Sequence, residues 1–171
     1  KKLSSLNIKS VGGIMQHGGT LLMTSRSEEF KTREGISRAA KILRENQIDG
    51  LIVIGGDGSM AGAQDLYQLQ GFPVICLPAT IDNDLYGTDM CIGVDTALNT
   101  VLSAIDKIKD TASSHRRAFI IEVMGRNCGY LALMSGIAGG VESIIVPEFP
   151  VNLEDVSTKL KRVYQRVKTH C

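Results

Sequence analysis

The sequence predicts an α/β fold of three layers, in which helices lie on both sides of a mostly parallel, Rossmann-like sheet. Short apolar runs rich in β-branched residues alternate along the chain with single segments of helical periodicity. Three of these runs lead directly into loops that carry Gly, Asp or Arg. Because strands separated by single helices form parallel sheets through crossover connections, we expect residues 1–171 to form one α/β domain.

The first helix and the first strand are predicted from adjacent segments. Apolar residues recur at helical spacing between positions 34 and 47, and Asp49-Gly50 then ends the segment. The run at 51–54, Leu-Ile-Val-Ile, is short and entirely apolar. Runs of this kind are typical of parallel strands, so we expect both faces of this strand to be buried.

The remaining elements follow the same alternation. Helical periodicity predicts helices at 59–70, 97–108, 128–138 and 153–167. Apolar runs predict further strands at 74–77, 118–123 and 143–146. Ligands of parallel sheets bind at the carboxyl ends of the strands, so the loops after positions 54, 77 and 123 are the candidate sites.

Composition excludes several classes of protein. Lys and Arg number 19 against 18 Asp and Glu, so the net charge of +1 does not indicate a polyanionic partner. The four cysteines lack the spacing of a disulfide framework or a zinc site, which predicts reduced thiols. No apolar run reaches the ~18 residues of a membrane span, and no signal peptide opens the chain. We expect a cytoplasmic protein, and the initial Lys1 suggests a piece of a longer polypeptide.

The first candidate site is the glycine loop, residues 55–59, with the sequence Gly-Gly-Asp-Gly-Ser. A strand that ends in glycines and opens into a helix offers backbone N–H groups and a positive helix N-terminus to a phosphate. Asp57 adds a hard oxygen ligand suited to Mg²⁺. The alternative is an ordinary tight turn with a Ser cap on the helix, and the Walker P-loop pattern is absent.

The second candidate site is the carboxylate loop, residues 79–84, with the sequence Ala-Thr-Ile-Asp-Asn-Asp. In extended geometry Asp82 and Asp84 would point to the same side. Two carboxylates at such a short distance disfavour joint ionisation and can raise one pKa, which suits a base that faces an alcohol. The alternative is an Asx-rich turn exposed to water.

The third candidate site is the arginine loop, residues 124–127, with the sequence Met-Gly-Arg-Asn. Arg126 there, and Arg26 near the start of the chain, could clamp phosphoryl oxygens. Arg116 and Arg117 are further candidates for an anion site, although single arginines are usually solvated surface charges. The three histidines show no metal-ligand spacing and are assigned no chemistry.

The loops, in this order, resemble the signatures of the 6-phosphofructokinases over residues 11 to 170. The matching segments are GGTLLMTSR, VIGGDGS, LPATIDND, GTD with IGVDTAL, DTASSH, EVMGRNCGYLAL and IAGGVESIIVPE. The resemblance implies the phosphofructokinase fold, here partial, and phosphoryl transfer from MgATP to the C1 hydroxyl of fructose 6-phosphate in glycolysis. It also implies a homotetramer.

The resemblance implies a role for each matching residue. Asp82 would be the catalytic base, supported by Thr80, Asp84 and Arg126. Asp57 would hold Mg²⁺. The residues implied to bind ATP are Arg26, Ser27, Gly56, Asp57, Gly58 and Ser59. Those implied to bind fructose 6-phosphate are Thr80, Ile81, Asp82, Met124, Gly125 and Arg126, with Arg117 from a neighbouring subunit.

The resemblance also bears on the phosphoryl donor and on regulation. In diphosphate-dependent members an Asp typically replaces Gly58 and a Lys replaces Ala79, so the small residues here favour ATP. The implied allosteric nucleotide site comprises Lys109, Gly140, Val141, Glu142, Arg166 and Lys168. Lys109 and Arg166 exchange the cation type usual at their positions, and Lys and Arg are not equivalent for bidentate phosphate binding. Asn127 is a further departure, because the family often has an aromatic residue or His there.

The family pattern continues beyond both ends of this chain. Its members begin with a strand and a Gly-Gly-Asp loop, and they continue into a second domain, neither of which is in this sequence. Besides the enzyme, two hypotheses are therefore kept. The chain could be a non-catalytic nucleotide-binding or interaction fragment, or it could belong to a diphosphate-dependent phosphofructokinase.

Overall fold

The computed structural model describes residues 3–169, with side chains through residue 165. A short 3-10 helix, Glu29–Lys31, precedes α1 (Arg33–Glu45), β1 (Leu51–Gly55), α2 (Asp57–Gln70) and β2 (Val74–Pro78). The chain continues with α3 (Val94–His115), α4 (Tyr130–Ala138) and α5 (Leu153–Thr169). All five helices predicted from the sequence are present, and the strands at 51–54 and 74–77 are confirmed.

β1 and β2 form a parallel pair in which Leu51 lies beside Val74 and Gly55 beside Pro78. Helix α2 connects them, as a parallel pair requires. The strand ends are therefore level, and the chain leaves both strands at the same edge of the sheet. This register brings the glycine loop and the carboxylate loop next to each other.

The core lies between α1, α2 and one face of the sheet. Its buried centre consists of Ile36, Ala40, Leu66 and Phe72. Phe30, Leu43, Ile48, Leu51 and Val74 pack around that centre. Each fully buried aliphatic or aromatic side chain contributes roughly 1.5–3 kcal/mol, so this cluster is what fixes the helices against the strands.

Two local features define the ends of these helices. Thr32 caps α1, because its hydroxyl accepts the N–H of Gly35 at 3.0 Å. At the opposite end, Arg44 donates to the carbonyl of Gln70 at 2.5 Å and so joins the ends of α1 and α2. The result is a fixed α1–α2 layer on one side of the sheet.

The other side of the sheet differs from the prediction that both faces of β1 are buried. Four aliphatic side chains, here called the open face, point away from α1 and α2: Ile52, Ile54, Ile75 and Leu77. They are 64%, 55%, 65% and 38% exposed, respectively. Helices α3 and α4 do not cover them, because their main contact is with each other.

The strands predicted at 118–123 and 143–146 are absent from the described structure. A strand needs a partner for its backbone groups, and within the described residues neither segment pairs with the β1–β2 sheet. Residues 144–146 instead lie against α4: Ile144 packs on Gly136 and Val146 packs on Gly129. Because these glycines carry no side chain, the segment can approach the helix directly.

Candidate functional site

The glycine loop leaves β1 and enters α2 without a side-chain cap. Gly56 occupies the N-cap position, and its carbonyl accepts the N–H groups of Ser59 and Met60, each at 3.0 Å. Ser59 lies inside the helix, so the alternative of a turn capped by this Ser is wrong. The first turn of α2 therefore presents backbone N–H groups to solvent, as a phosphate site requires.

Gly58 has free space around it. A Cβ built at this position meets no atom within 4 Å, and its φ is not in the left-handed region. Neither packing nor backbone conformation explains why this position is a glycine. The space beside it is available to a ligand that comes from solvent.

The carboxylate loop touches the glycine loop. The N–H of Ala79 donates to the carbonyl of Gly55 at 2.8 Å. A Cβ on Gly56 would lie 3.1 Å from the Cβ of Thr80, which is tighter than most such contacts. Gly56 is thus the point at which the two loops approach most closely, and any larger residue there would push them apart.

Asp82, in this loop, has a carboxylate oxygen without a hydrogen-bond partner among the described residues. Its N–H donates to the hydroxyl of Thr80 at 3.3 Å, which holds the backbone of the turn. Its Oδ1 is buried and makes no hydrogen bond with any described residue. Buried polar atoms are nearly always paired, so an unpaired carboxylate oxygen indicates a position kept for a substrate donor or a water.

The loop is not an extended segment, so the expectation that Asp82 and Asp84 point to the same side is wrong. Residues 81 and 82 form a turn, and Asn83 has a φ of 53°. Asp82 is partly buried whereas Asp84 is exposed. The alternative of an Asx-rich turn exposed to water holds in part, since a turn forms and Asp84 is exposed, but Thr80, Ile81 and Asp82 are partly buried.

The arginine loop is held by two glycines and a distant carboxylate. Gly125 has a φ of 115°, and a Cβ on it would collide with the carbonyl oxygen of Cys128. The N–H of Gly129 donates to Oε1 of Glu148 at 2.7 Å. Sequence reasoning missed Glu148, because it lies 19 residues from its partner and no local pattern marks it.

The arginines are less firmly placed than the two post-strand loops. Arg26, Arg117 and Arg126 are exposed, and none of the three guanidinium groups makes a hydrogen bond or ion pair within the part of the chain that the structure describes. Met124 is likewise 66% exposed. Ser27 accepts the N–H of Phe30 at 3.3 Å. The ring of Phe30 lies beside Gly62 of α2, which brings the Arg26–Ser27 segment alongside that helix.

Some residues of the implied allosteric site lie close together in the structure. The ammonium of Lys109 donates to the carbonyl oxygen of Gly139 at 2.8 Å and approaches that of Gly140 at 3.5 Å. Val141 follows and donates to the carbonyl of Gly136 at 3.1 Å. The exposed Glu142 comes next, and the side chains of Arg166 and Lys168 lie outside the described residues. Lys109 here neutralises the carboxyl end of α4, which favours positive charge.

The donor set fits a magnesium ion that arrives with a nucleotide. Asp57 is exposed in the first turn of α2, next to the free space at Gly58. Within the described residues, no three His, Cys, Asp or Glu side chains form a group that could hold a metal by themselves. Mg²⁺ commonly takes one or two protein carboxylates and completes its shell with waters and phosphate oxygens, so a single carboxylate is suitable.

One surface depression is lined mainly by residues of α1 and another by residues of α3, and neither includes a residue of the three loops. Among the described residues, no helix has the length and apolar character needed to cross a membrane.

Comparison with known proteins gives one consistent result. The model of the phosphofructokinase family matches residues 1–171. An ATP-dependent 6-phosphofructokinase of Clostridioides difficile is 57% identical over 168 residues, which cover 98% of this chain and 52% of that protein. One of Natranaerobius thermophilus is 58% identical with the same coverage. This chain spans about half the length of these curated relatives.

Solved structures agree with this result. The phosphofructokinase of Saccharomyces cerevisiae matches with a TM-score of 0.82 and 40% identity, over 96% of this chain and 25% of that one. A pyrophosphate-dependent phosphofructokinase of Marinobacter aquaeolei matches with a TM-score of 0.69 and 28% identity, over 82% and 38% of the two chains. The predicted α/β class and the predicted family are both confirmed, and the chain belongs to the phosphofructokinase family.

Proposed function

We propose that the protein transfers the γ-phosphoryl group of MgATP to the C1 hydroxyl of fructose 6-phosphate, giving fructose 1,6-bisphosphate and ADP. The observation that carries this proposal is the buried, unpaired Oδ1 of Asp82 beside the exposed start of α2. A carboxylate oxygen without a partner is able to accept a proton from an alcohol. The neighbouring helix start supplies N–H groups for the phosphates of the donor.

In this reaction Asp82 takes the proton of the C1 hydroxyl while the hydroxyl oxygen forms a bond to the γ-phosphorus. The bond between that phosphorus and the bridging oxygen breaks, and ADP leaves with the electron pair. Mg²⁺, held by Asp57 and the phosphates, would neutralise charge on the phosphoryl oxygens. The role proposed for Arg126 is to stabilise the negative charge that develops on the transferred phosphoryl group. Thr80 holds the turn that carries the base Asp82.

ATP rather than diphosphate is the proposed donor. The free space at Gly58 is compatible with a bulky nucleotide. Curated relatives named ATP-dependent include proteins that are 53% to 58% identical to this chain. Two solved structures named pyrophosphate-dependent are 28% and 25% identical. Replacing ATP with diphosphate in the assay separates the two donors, since turnover with diphosphate alone would contradict this assignment.

The decisive experiment replaces Asp82 with Ser in the complete protein and follows the formation of fructose 1,6-bisphosphate. We expect kcat to fall by about 10²–10⁴, the usual contribution of a general base, with MgATP binding retained. Asp65→Ser on the exposed surface of α2 is the matched control and should keep wild-type kcat. A near-normal kcat for Asp82→Ser would show that Asp82 is not the base.

A non-catalytic role is the second candidate, and the exposure of the site favours it. Asp57, Gly58, Ser59 and Arg126 are all exposed, whereas phosphoryl transfer is aided by a site that excludes water. Calorimetric titration of residues 1–171 with MgATP, followed by a turnover assay, distinguishes the candidates. Binding without turnover would favour a nucleotide-binding fragment.

Assembly, regulation and cellular location are proposed on the basis of family membership. A homotetramer in the cytoplasm is proposed, in which Arg117 reaches the sugar phosphate of a neighbouring subunit. Its exposure just beyond α3 is compatible with that role. Effector binding near Lys109 is proposed as well, although the ammonium is engaged by the two carbonyls at the end of α4.

A further inference from the structure

Asn83, between the two acidic residues of the carboxylate loop, adopts a left-handed backbone conformation. Its φ is 53°, a region that most residues with a side chain avoid and that Asn tolerates better than others. This conformation turns the chain directly after Asp82. The turn that carries Asp82 is therefore completed by the backbone of Asn83.

Both ends of the Asn83 amide hold the backbone of the segment that follows. Its Oδ1 accepts the N–H of Cys91 at 2.8 Å, and its Nδ2 donates to the carbonyl of Asp89 at 3.2 Å. The orientation of the amide follows from its partners, because a backbone N–H can only donate and a carbonyl can only accept. Asn83 thus closes residues 83–91 into a compact loop.

The segment that the Asn83 amide holds leads into buried residues. Cys91 is 3% exposed, and Val94 at the start of α3 is fully buried. Between them, the N–H of Ile92 donates to the carbonyl of Pro78 at 2.9 Å. Asn83 consequently connects the carboxylate loop, through residues 89–92, to the end of β2 and to the start of α3.

Asp82 depends on its neighbours for its position. Its Oδ1 makes no hydrogen bond with any described residue, so that oxygen has no protein partner to hold it in the site. On one side the hydroxyl of Thr80 accepts its N–H, and on the other Asn83 fixes the turn. Moving a buried, unpaired oxygen into water lowers its free energy, so a fixed backbone is needed to keep it in place.

We propose that Asn83 is a positioning residue that acts through Asp82, holding the base toward the C1 hydroxyl of the sugar. This inference rests on the proposed function. Loss of the two hydrogen bonds should lower kcat by about 10- to 100-fold, if their net stabilising free energy is lost from the activation barrier. The KM for ATP should not change, since the glycine loop keeps its own contacts.

Two variants of the complete protein test the proposal. Asn83→Gly keeps the left-handed conformation but removes both amide bonds, so it should show the full loss of kcat. Asn83→Asp has the same shape and keeps the acceptor for Cys91 N–H, so its kcat should lie between those of Asn83→Gly and the wild type. Asn99→Ala is the control, because that amide also bonds to a backbone carbonyl, but within α3.

A double-mutant cycle separates positioning from general damage to the fold. If Asn83 acts through the base, Asn83→Gly should have no further effect on kcat once Asp82 is Ser. Equal losses in both backgrounds, or a wild-type kcat in Asn83→Gly, would overturn the proposal. If Asn83→Gly does not fold, Asn83→Asp decides it, and a wild-type kcat there overturns it. An inactive wild-type protein would instead contradict the proposed function, and this inference with it.

Discussion

The glycine loop after β1 and the carboxylate loop after β2 lie side by side, yet different groups hold them. In the glycine loop, Gly56 begins α2 without a side-chain cap and Gly58 faces open space. In the carboxylate loop, the hydroxyl of Thr80 accepts the N–H of Asp82, and the amide of Asn83 bonds to the backbone of Asp89 and Cys91. One loop is shaped by the absence of side chains and the other by their hydrogen bonds.

This difference matches what each loop is proposed to bind. A polyphosphate is a large anion that many backbone N–H groups can share, so the surface that receives it needs space more than orientation. A proton acceptor must meet a single hydroxyl at hydrogen-bond distance, so its direction has to be fixed. The two loops should therefore respond differently to mutation. Substitutions that add atoms should impair the glycine loop, whereas substitutions that remove hydrogen-bonding groups should impair the carboxylate loop.

Among the variants that test this contrast, the largest effect is expected from Gly58→Asp, which adds a carboxylate where the phosphates of the donor are proposed to bind. Repulsion between this carboxylate and a phosphate charge about 4 Å away costs roughly 1–4 kcal/mol near a protein surface, so MgATP affinity should fall about tenfold or more. Stability should be retained, because an acidic residue is favourable in the first turn of a helix. Calorimetry with MgATP and thermal unfolding measure the two effects separately.

Gly58→Asn has the same shape without the charge and separates repulsion from bulk. If Gly58→Asp bound MgATP as tightly as the wild type, the glycine loop would not be the donor site, and the contrast between the two loops would fail.

An intermediate effect is expected from Gly56→Ala. The new methyl group would lie 3.1 Å from the Cβ of Thr80, and overpacking of this kind costs about 1–3 kcal/mol. Because the contact joins the two loops, both MgATP binding and kcat should be lowered. Gly58→Ala, where the methyl meets no atom within 4 Å, is the matched control and should unfold no earlier than the wild type. Equal unfolding temperatures for the two variants would refute the close contact.

The smallest effect is expected from Thr80→Ala, which removes the acceptor of the Asp82 N–H. A single hydrogen bond has a net value of about 0.5–1.5 kcal/mol, so kcat should fall by up to about tenfold. MgATP affinity should be unchanged, and Thr80→Ser, which keeps the hydroxyl, should retain most of the activity. Steady-state kinetics with ATP and sugar varied separately measures both. A loss that appeared only in the KM for ATP would assign Thr80 to the glycine loop instead.

The elements near the site were predictable because local signals define them. The apolar runs at 51–54 and 74–77 are bounded by glycine or proline, and both are strands. Parallel pairing then brings the two following loops together, as the rule for strand ends predicts. The implied positions of Gly56, Thr80 and Asp82 at one edge of the sheet follow from that register alone.

What the sequence could not predict depends on partners that lie far along the chain. The runs at 118–123 and 143–146 have the composition of strands, but composition does not say whether a neighbouring strand exists. Glycines at 129 and 136 let residues 144–146 lie on α4 instead. The clamp by Asn83 was missed for a similar reason, since its hydrogen bonds reach six and eight residues ahead.

The open face of the sheet has a consequence for the behaviour of the chain in solution. Ile52, Ile54, Ile75 and Leu77 form adjacent pairs in the parallel register, so their exposed surfaces merge into one water-facing patch. Sulfate and similar salts strengthen the association of apolar surfaces, whereas moderate urea weakens it. Solubility of residues 1–171 should therefore depend more on the choice of salt than a net charge of +1 would suggest.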